Sequence, residues 1–181
     1  NWNGGGLHFS EDYGFGSLNA YAAIRMAEVW SLFGAAQTSA NEVVAAPATY
    51  TIDGVINDLS TAEFEFVVTN SMIAEHVDIT VNFFHSEMTD LNVFLVSAMG
   101  TEVQLFRNSV GDPAAAAGGL TWTFGIEAFR GENVAGTWTV RVEDVFLEDE
   151  GLLNSIQFAA FGTSENSNDV YHYTDEALNM L

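Results

Sequence analysis

Seven stretches of the chain alternate apolar and polar side chains with period two. Glu63-Phe64-Glu65-Phe66-Val67-Val68 begins the pattern. Val77, Ile79, Val81 and Phe83 then interleave with Asp78, Thr80 and Asn82, and Leu91-Asn92-Val93-Phe94-Leu95-Val96 follows. Val103 with Leu105, Trp122 with Phe124, Trp138 with Val140 and Val142, and Ile156 with Phe158 and Ala160 continue it. Successive side chains of a strand point to opposite faces, so each stretch buries one face and wets the other. Such segments, separated by turns bearing Gly and Asp, predict an all-β fold, an antiparallel β-sandwich of jelly-roll type. Trp122 and Trp138 fall on the inward positions and are expected in its core. No internal repeat is present.

The first 33 residues read differently. Asn1-Trp2-Asn3-Gly4-Gly5-Gly6 is a loop, not a basic stretch followed by an apolar one, so no signal peptide opens the chain. If the parent protein is exported, residue 1 is an internal boundary. Tyr13-Gly14-Phe15-Gly16 leads to Ser17, a good N-cap, and Leu18 to about Leu32 then reads as a helix. Arg25 and Glu28 are helical i,i+3 neighbours. Ile24, Met26, Val29 and Trp30 make the helix so apolar that it expects cover on more than one side. Residues 34–48, rich in Ala and containing Pro47, are a linker. Residues 49–163 hold the sandwich. The stretch from Asp112 to Gly119 is a surface loop, and residues 164–181 are a polar tail.

Charge narrows the partners. Four basic residues stand against 25 acidic ones in 181, a net charge of −21. A phosphate backbone needs clustered Lys and Arg, and an anionic membrane surface needs a basic patch, so neither is an expected partner. No apolar run reaches the roughly 18 residues of a membrane span. Hydrophobic residues nevertheless make up 48% and aromatics 13%, enough for a sizeable core. The absence of Cys excludes disulfides, thiolate zinc sites and a Cys nucleophile. So dense a set of carboxylates gains from bound cations, and Ca²⁺, a hard ion taking six to eight oxygens, suits it. That reading favours an extracellular home; a solubilising surface in a salty habitat is the alternative.

Three ordered segments carry a family resemblance. The first is His85-Ser86-Glu87-Met88-Thr89-Asp90-Leu91, followed by Ser97-Ala98-Met99-Gly100-Thr101. The second comprises Trp122-Thr123-Phe124, Phe129-Arg130-Gly131-Glu132-Asn133 and Gly136-Thr137-Trp138-Thr139-Val140. The third comprises Glu143-Asp144, Asp149-Glu150-Gly151-Leu152-Leu153-Asn154-Ser155 and Phe161-Gly162-Thr163. In this order and spacing, residues 49–163 resemble the P domain of kexin- and furin-like proprotein convertases and their secreted bacterial relatives. Tyr13-Gly14-Phe15-Gly16 with the Ala-rich helix resembles the last helix of a subtilisin-like catalytic domain. Asn168 to Glu176 resembles the start of a calcium-binding repeat-in-toxin region, without its Gly-Gly-x-Gly-x-Asp nonapeptides. Departures are Met88-Thr89-Asp90 in place of Arg-Gly-Asp, Ala98 in place of a turn Pro, and Ile156 in place of a Trp.

The resemblance implies a galactose-binding-like jelly roll that stabilises and modulates an adjoining secreted, calcium-dependent subtilisin-like serine endopeptidase. The partner is then the chain's own upstream catalytic domain, and an isolated fragment exposes the docking face or covers it by self-association. No catalytic residue is assigned. A subtilisin-like mechanism needs Ser, His and Asp with an oxyanion hole. Gly162-Thr163-Ser164 imitates the nucleophile turn but runs into polar Glu165-Asn166-Ser167, and His8 with Ser10 lies in a glycine-flanked loop. Asp90, Asp144 and Asp149 stand where the family pattern carries acids at loop ends and are the candidate Ca²⁺ ligands. The alternatives are a solvated acidic hairpin for Asp144 and Asp149, and a turn residue bonded to backbone N–H groups for Asp90. Asp112, His172 and Asp175 are weaker metal candidates. His85 reads as a hydrogen-bonded structural residue, and Glu132 is open between Arg130, Arg107 and a cation. The rival from another class is a carbohydrate- or surface-binding jelly-roll module, which requires Trp2, Trp122 or Trp138 exposed on a groove.

Overall fold

The computed structural model describes residues 1–30, 40, 42–108 and 118–164. Among these residues, eight strands follow one α-helix. They are β1 (Val43–Ile56), β2 (Thr61–Val68), β3 (Ile73–His85), β4 (Leu91–Val96), β5 (Glu102–Phe106), β6 (Gly118–Ile126), β7 (Gly136–Asp144) and β8 (Gly151–Thr163). They form two four-stranded sheets in the orders β1-β8-β3-β6 and β2-β7-β4-β5, with every pairing antiparallel. The pairs β1/β8, β2/β7, β3/β6 and β4/β5 are those of one long hairpin wound on itself. Apart from β4 and β5, strands consecutive in sequence lie in opposite sheets. This is jelly-roll winding.

The alternating stretches supply the inner faces. Val77, Ile79, Val81 and Phe83 of β3 are buried, as are Leu91, Val93 and Leu95 of β4 and Val140 and Val142 of β7. Trp138 sits at the centre, fully buried. Its indole N–H donates to the Val134 carbonyl at 2.8 Å, and its ring centroid lies 4.9 Å from those of both Phe129 and Phe158. Buried aromatics of this kind dominate core energetics and need a partner for the polar edge. On the outer face of β3, Thr80 and Thr123 hydroxyls meet at 2.7 Å and the Asn82 amide donates to Thr121 at 3.1 Å. Cross-strand polar pairs of this kind stabilise a solvated sheet face.

Several expectations change. The stretch assigned to the linker contains the start of β1: Val43, Val44 and Ala45 pair with Gly162, Phe161 and Ala160. Pro47 falls in the register shift between Ala45 and Ala48, where its missing N–H costs no ladder bond. Trp122 is 57% exposed, not core, because β6 is the outermost strand of its sheet. The helix, α1, runs Ala20–Glu28, shorter than Leu18 to Leu32, and its N-cap is Asn19, not Ser17; the Asn19 side chain accepts the Ala22 N–H at 3.0 Å. The Arg25–Glu28 pair forms as expected. No residue of α1 is buried, so the cover its apolar side chains predict is not supplied by the described residues. Gly118 and Gly119, placed in the loop from Asp112 to Gly119, instead open β6, paired with His85 and Phe84. Asp112 and the rest of that loop, His172, Asp175 and the tail beyond Ser164 lie outside the described residues.

Candidate functional site

Two of the three sequence-predicted acids are buried side by side at one end of the sandwich. Asp90 closes the 3₁₀ turn Met88–Asp90 that feeds β4, and Asp144 is the last residue of β7. The next residue, Leu91, pairs with Asp144 across the sheet, and the Val145 N–H donates to the Asp90 carbonyl at 3.1 Å. Both side chains are buried, at 7% and 4% exposure. Asp149 is half-buried on the loop between β7 and β8. The Asp149-Glu150-Gly151 turn is tied to the end of β3: Ser86 N–H donates to the Glu150 carbonyl, and the Glu150 N–H donates to the Ser86 hydroxyl at 3.2 Å.

His85, at the end of β3, links these pieces. It is fully buried; Nε2 lies 3.2 Å from Asp144 Oδ2 and Nδ1 lies 2.8 Å from the Glu87 carbonyl. It is thus a hydrogen-bonded residue of the interior. Gly151 leaves room for the ring, since a Cβ there would lie 2.6 Å from the Phe84 carbonyl oxygen and collide with the imidazole. Asp144 is held on both oxygens, by His85 and by the Phe146 N–H at 3.2 Å. Asp90 is held loosely: among the described residues its side chain meets the Thr89 hydroxyl alone, at 3.4 Å. Glu87 instead caps the 3₁₀ turn, accepting from the Thr89 hydroxyl at 2.8 Å.

Both acids are raised, by different balances of forces. Burial pushes the Asp90 carboxyl above its usual 3.8, and the charges of Asp149, Asp144 and Glu87 push it further, with His85 opposing. Burial also raises Asp144, but the Phe146 N–H and His85 pull it back, with Asp58 adding a smaller push upward. The structure thus brings Asp90, Asp144 and Asp149 into one field. Among the described residues, no group of three or more His, Asp or Glu side chains stands converged to hold a metal ion.

A second polar centre was not expected. Residues 1–16 lie against the sandwich, with the Asn3 side chain buried. Its amide donates to the Ala128 and Arg130 carbonyls, both at 2.8 Å, and its oxygen accepts the Leu7 N–H at 2.8 Å. Glu132, fully buried, pairs with neither Arg130 nor Arg107. Its Oε1 accepts the Gly4 N–H at 2.9 Å and the Thr101 hydroxyl, while Arg130 pairs with Glu127. Beside this contact a cleft of about 760 Å³ opens between residues 1–3, residues 9–12 and the Gly100–Glu102 turn. Glu11, Asp12 and Glu102 give its walls a negative character, and Arg141 reaches Glu102 at 2.7 Å. The run Gly4-Gly5-Gly6 was the one sequence signal that could have marked a close backbone approach. Of the nucleophile-like stretch, Gly162 and Thr163 are the last residues of β8, paired with β1 and β3.

Comparison with known proteins agrees with this architecture. Residues 74–160 match the family described as "Proprotein convertase P-domain". The chain is 29% identical to proprotein convertase subtilisin/kexin type 6 of Homo sapiens, over 99% of this chain and 19% of that protein. It is 28% identical to neuroendocrine convertase 2 of Homo sapiens, over 77% of this chain and 22% of the relative. It therefore spans about a fifth of the length of these relatives. Among solved structures, a serine protease of Aeromonas sobria shares the fold with a TM-score of 0.72 and 23% identity, over 90% of this chain and 33% of that one. The same protease in complex with its chaperone gives a TM-score of 0.74 at 20% identity, over 91% of this chain and 33% of that one.

Proposed function

Because residues 74–160 match the proprotein convertase P-domain family, we propose that the sandwich is a non-catalytic accessory domain that stabilises an adjoining, secreted subtilisin-like serine endopeptidase domain. The observation that carries this reading is α1. The helix presents Tyr21 and Ile24 to solvent at 74% and 63% exposure, with Leu18 and Trp30 exposed at its ends and Trp2, Tyr13 and Phe15 exposed before it. A surface with this many large apolar side chains marks a binding face, and the occupant of this reading is the upstream catalytic domain. Replacing Tyr21 and Ile24 by Glu in a protein that includes the catalytic domain is expected to lower the melting temperature of the protease. The same pair in this chain alone leaves the sandwich melt in place. An unchanged protease melt overturns the reading.

Calcium dependence is part of the proposal. Burial and the neighbouring acid charges both raise Asp90; a divalent cation would offset that cost, and Asp90, Asp144 and Asp149 are the residues that would hold it. The test is a melt in EDTA, then across Ca²⁺ and Mg²⁺ titrations. A ligand at 100 times its Kd adds about 2.7 kcal/mol, or roughly 5–10 °C here. A saturable shift for Ca²⁺ alone supports the site; equal, gradual shifts with both ions mean charge screening and remove it.

A second reading, a sugar- or surface-binding sandwich, draws on the exposure of Trp2 and Trp122, at 73% and 57%. Glycan-array binding that is lost in Trp122→Ala or Trp2→Ala would support it, and an array without hits removes it.

A further inference from the structure

We propose that Glu132 and the turn Asn3–Gly6 form a latch by which the sandwich itself holds residues 1–16, leaving α1 tethered by the sandwich on both of its sides. The proposal deepens the reading above, on which it rests only for its consequence: the held segment would be the end of the catalytic domain.

The contact is specific in both polarity and shape. Asn3 is 6% exposed and satisfies all its hydrogen-bonding edges but one within the junction, two of them on carbonyls of the loop between β6 and β7. Gly4 lends its N–H to both Glu132 Oε1 and the Thr101 hydroxyl, each at 2.9 Å. A Cβ on Gly4 would fall inside Met99 Cβ, and a Cβ on Gly5 would stand 2.8 Å from the Arg130 carbonyl oxygen. Two backbones therefore touch where only glycine permits it. Gly6 and Gly131, at φ +77 and +84, bend the two chains so that they can.

Glu132 gives the latch its direction. Its Oε2 is buried without a hydrogen-bond partner, so its burial is compensated on Oε1 alone. A buried carboxylate with one donor fewer is strongly disfavoured. The docked turn shuts Glu132 off from water and supplies the Gly4 N–H in its place, so removing either group takes away the contact that makes the burial tolerable. Farther along the segment, Glu11 accepts the Gln104 N–H at 3.1 Å and Phe9 packs against the core. α1, with no buried residue, supplies no comparable hold.

Hydrogen exchange on the full chain tests this, comparing wild type with Asn3→Ala, Gly4→Ala and Glu132→Ala. In wild type the hydrogen-bonded amides of Asn3, Gly6 and Phe9 are expected to exchange at least about 100-fold more slowly than unstructured chain. In each variant that protection is lost while β3 and β7 stay protected. A double-mutant cycle completes the test: if one latch is broken by either change, Asn3→Ala with Glu132→Ala is no less stable than Glu132→Ala alone. Free exchange of residues 3–9 in wild type, protection that survives all three variants, or additive destabilisation in the cycle overturns the latch. Loss of β7 protection in Asn3→Ala also overturns it, since the segment would then be part of the core. These readouts need no catalytic domain. An intact latch with an unaltered protease melt in the Tyr21/Ile24 variants would therefore defeat the proposed function and leave the latch standing.

Discussion

Asp90 and Asp144 are adjacent buried aspartates, yet the structure predicts opposite responses to their removal. Asp144 receives two donors, His85 Nε2 at 3.2 Å and the Phe146 N–H at 3.2 Å. Asp144→Ala leaves both without an acceptor. At about 1–3 kcal/mol for the orphaned, buried His85 nitrogen and roughly 1 kcal/mol at most for the part-buried Phe146 N–H, the loss is about 1–4 kcal/mol, which lowers the melting temperature by on the order of 10 °C. Asp90 receives one weak donor and faces Asp149, Asp144 and Glu87. Asp90→Asn keeps the shape and removes the repelled charge, so in EDTA at pH 7 it is expected to stabilise the chain by about 1 kcal/mol. The sign follows from linkage. A carboxyl raised above its unfolded value of 3.8 binds more protons folded than unfolded between 3.8 and its folded value. Wild-type stability from this group is thus full below 3.8 and falls as pH rises through the raised value. The advantage of Asp90→Asn therefore disappears on acidification. Urea titrations of the three proteins in EDTA at pH 7 and near pH 3.5 read all of this. A destabilised Asp90→Asn in EDTA at pH 7, or a neutral Asp144→Ala, contradicts this account of the two carboxylates. With saturating Ca²⁺ the order of wild type and Asp90→Asn reverses if the cation is held there.

Other consequences are simpler to read. Trp138→Phe removes the donor to Val134 and leaves a void between Phe129 and Phe158, for a loss of about 2–4 kcal/mol in urea titration. Gly151→Ala drives a methyl into His85 and the Phe84 carbonyl and is expected to cost about 2–4 kcal/mol, read as an early-melting variant. His76 lies 2.7 Å from Asp78 and 2.9 Å from Glu127; burial lowers its pKa, but the two hydrogen bonds and charges outweigh it and raise the value above 6.5. Its stabilisation is full below pH 6.5 and is lost as pH rises through the raised value. His76→Ala should therefore be destabilised at about pH 5.5 and matched to wild type at about pH 9, with the gap shrinking in roughly 1 M salt because the group is part-exposed.

Period-two patterning is a local property of the backbone, and whatever depends on it could be read from the chain before folding. The inward faces of β2, β3, β4, β7 and β8, the all-β class and the placement of Asp90 and Asp144 at strand ends were all legible there. β1 was not, because an edge strand with a bulge at Pro47 and small, half-wet side chains carries no strict alternation. Trp122 and Trp138 share one pattern in sequence; only the sheet order, which puts β6 at an edge and β7 inside, separates the exposed ring from the buried one. His85 finds Asp144 across 59 residues and Glu132 finds Gly4 across 128, and nothing in either local sequence names the partner. Those contacts belong to the packed molecule, because the desolvation that makes a carboxylate demand a donor arises only when distant segments exclude water from it together.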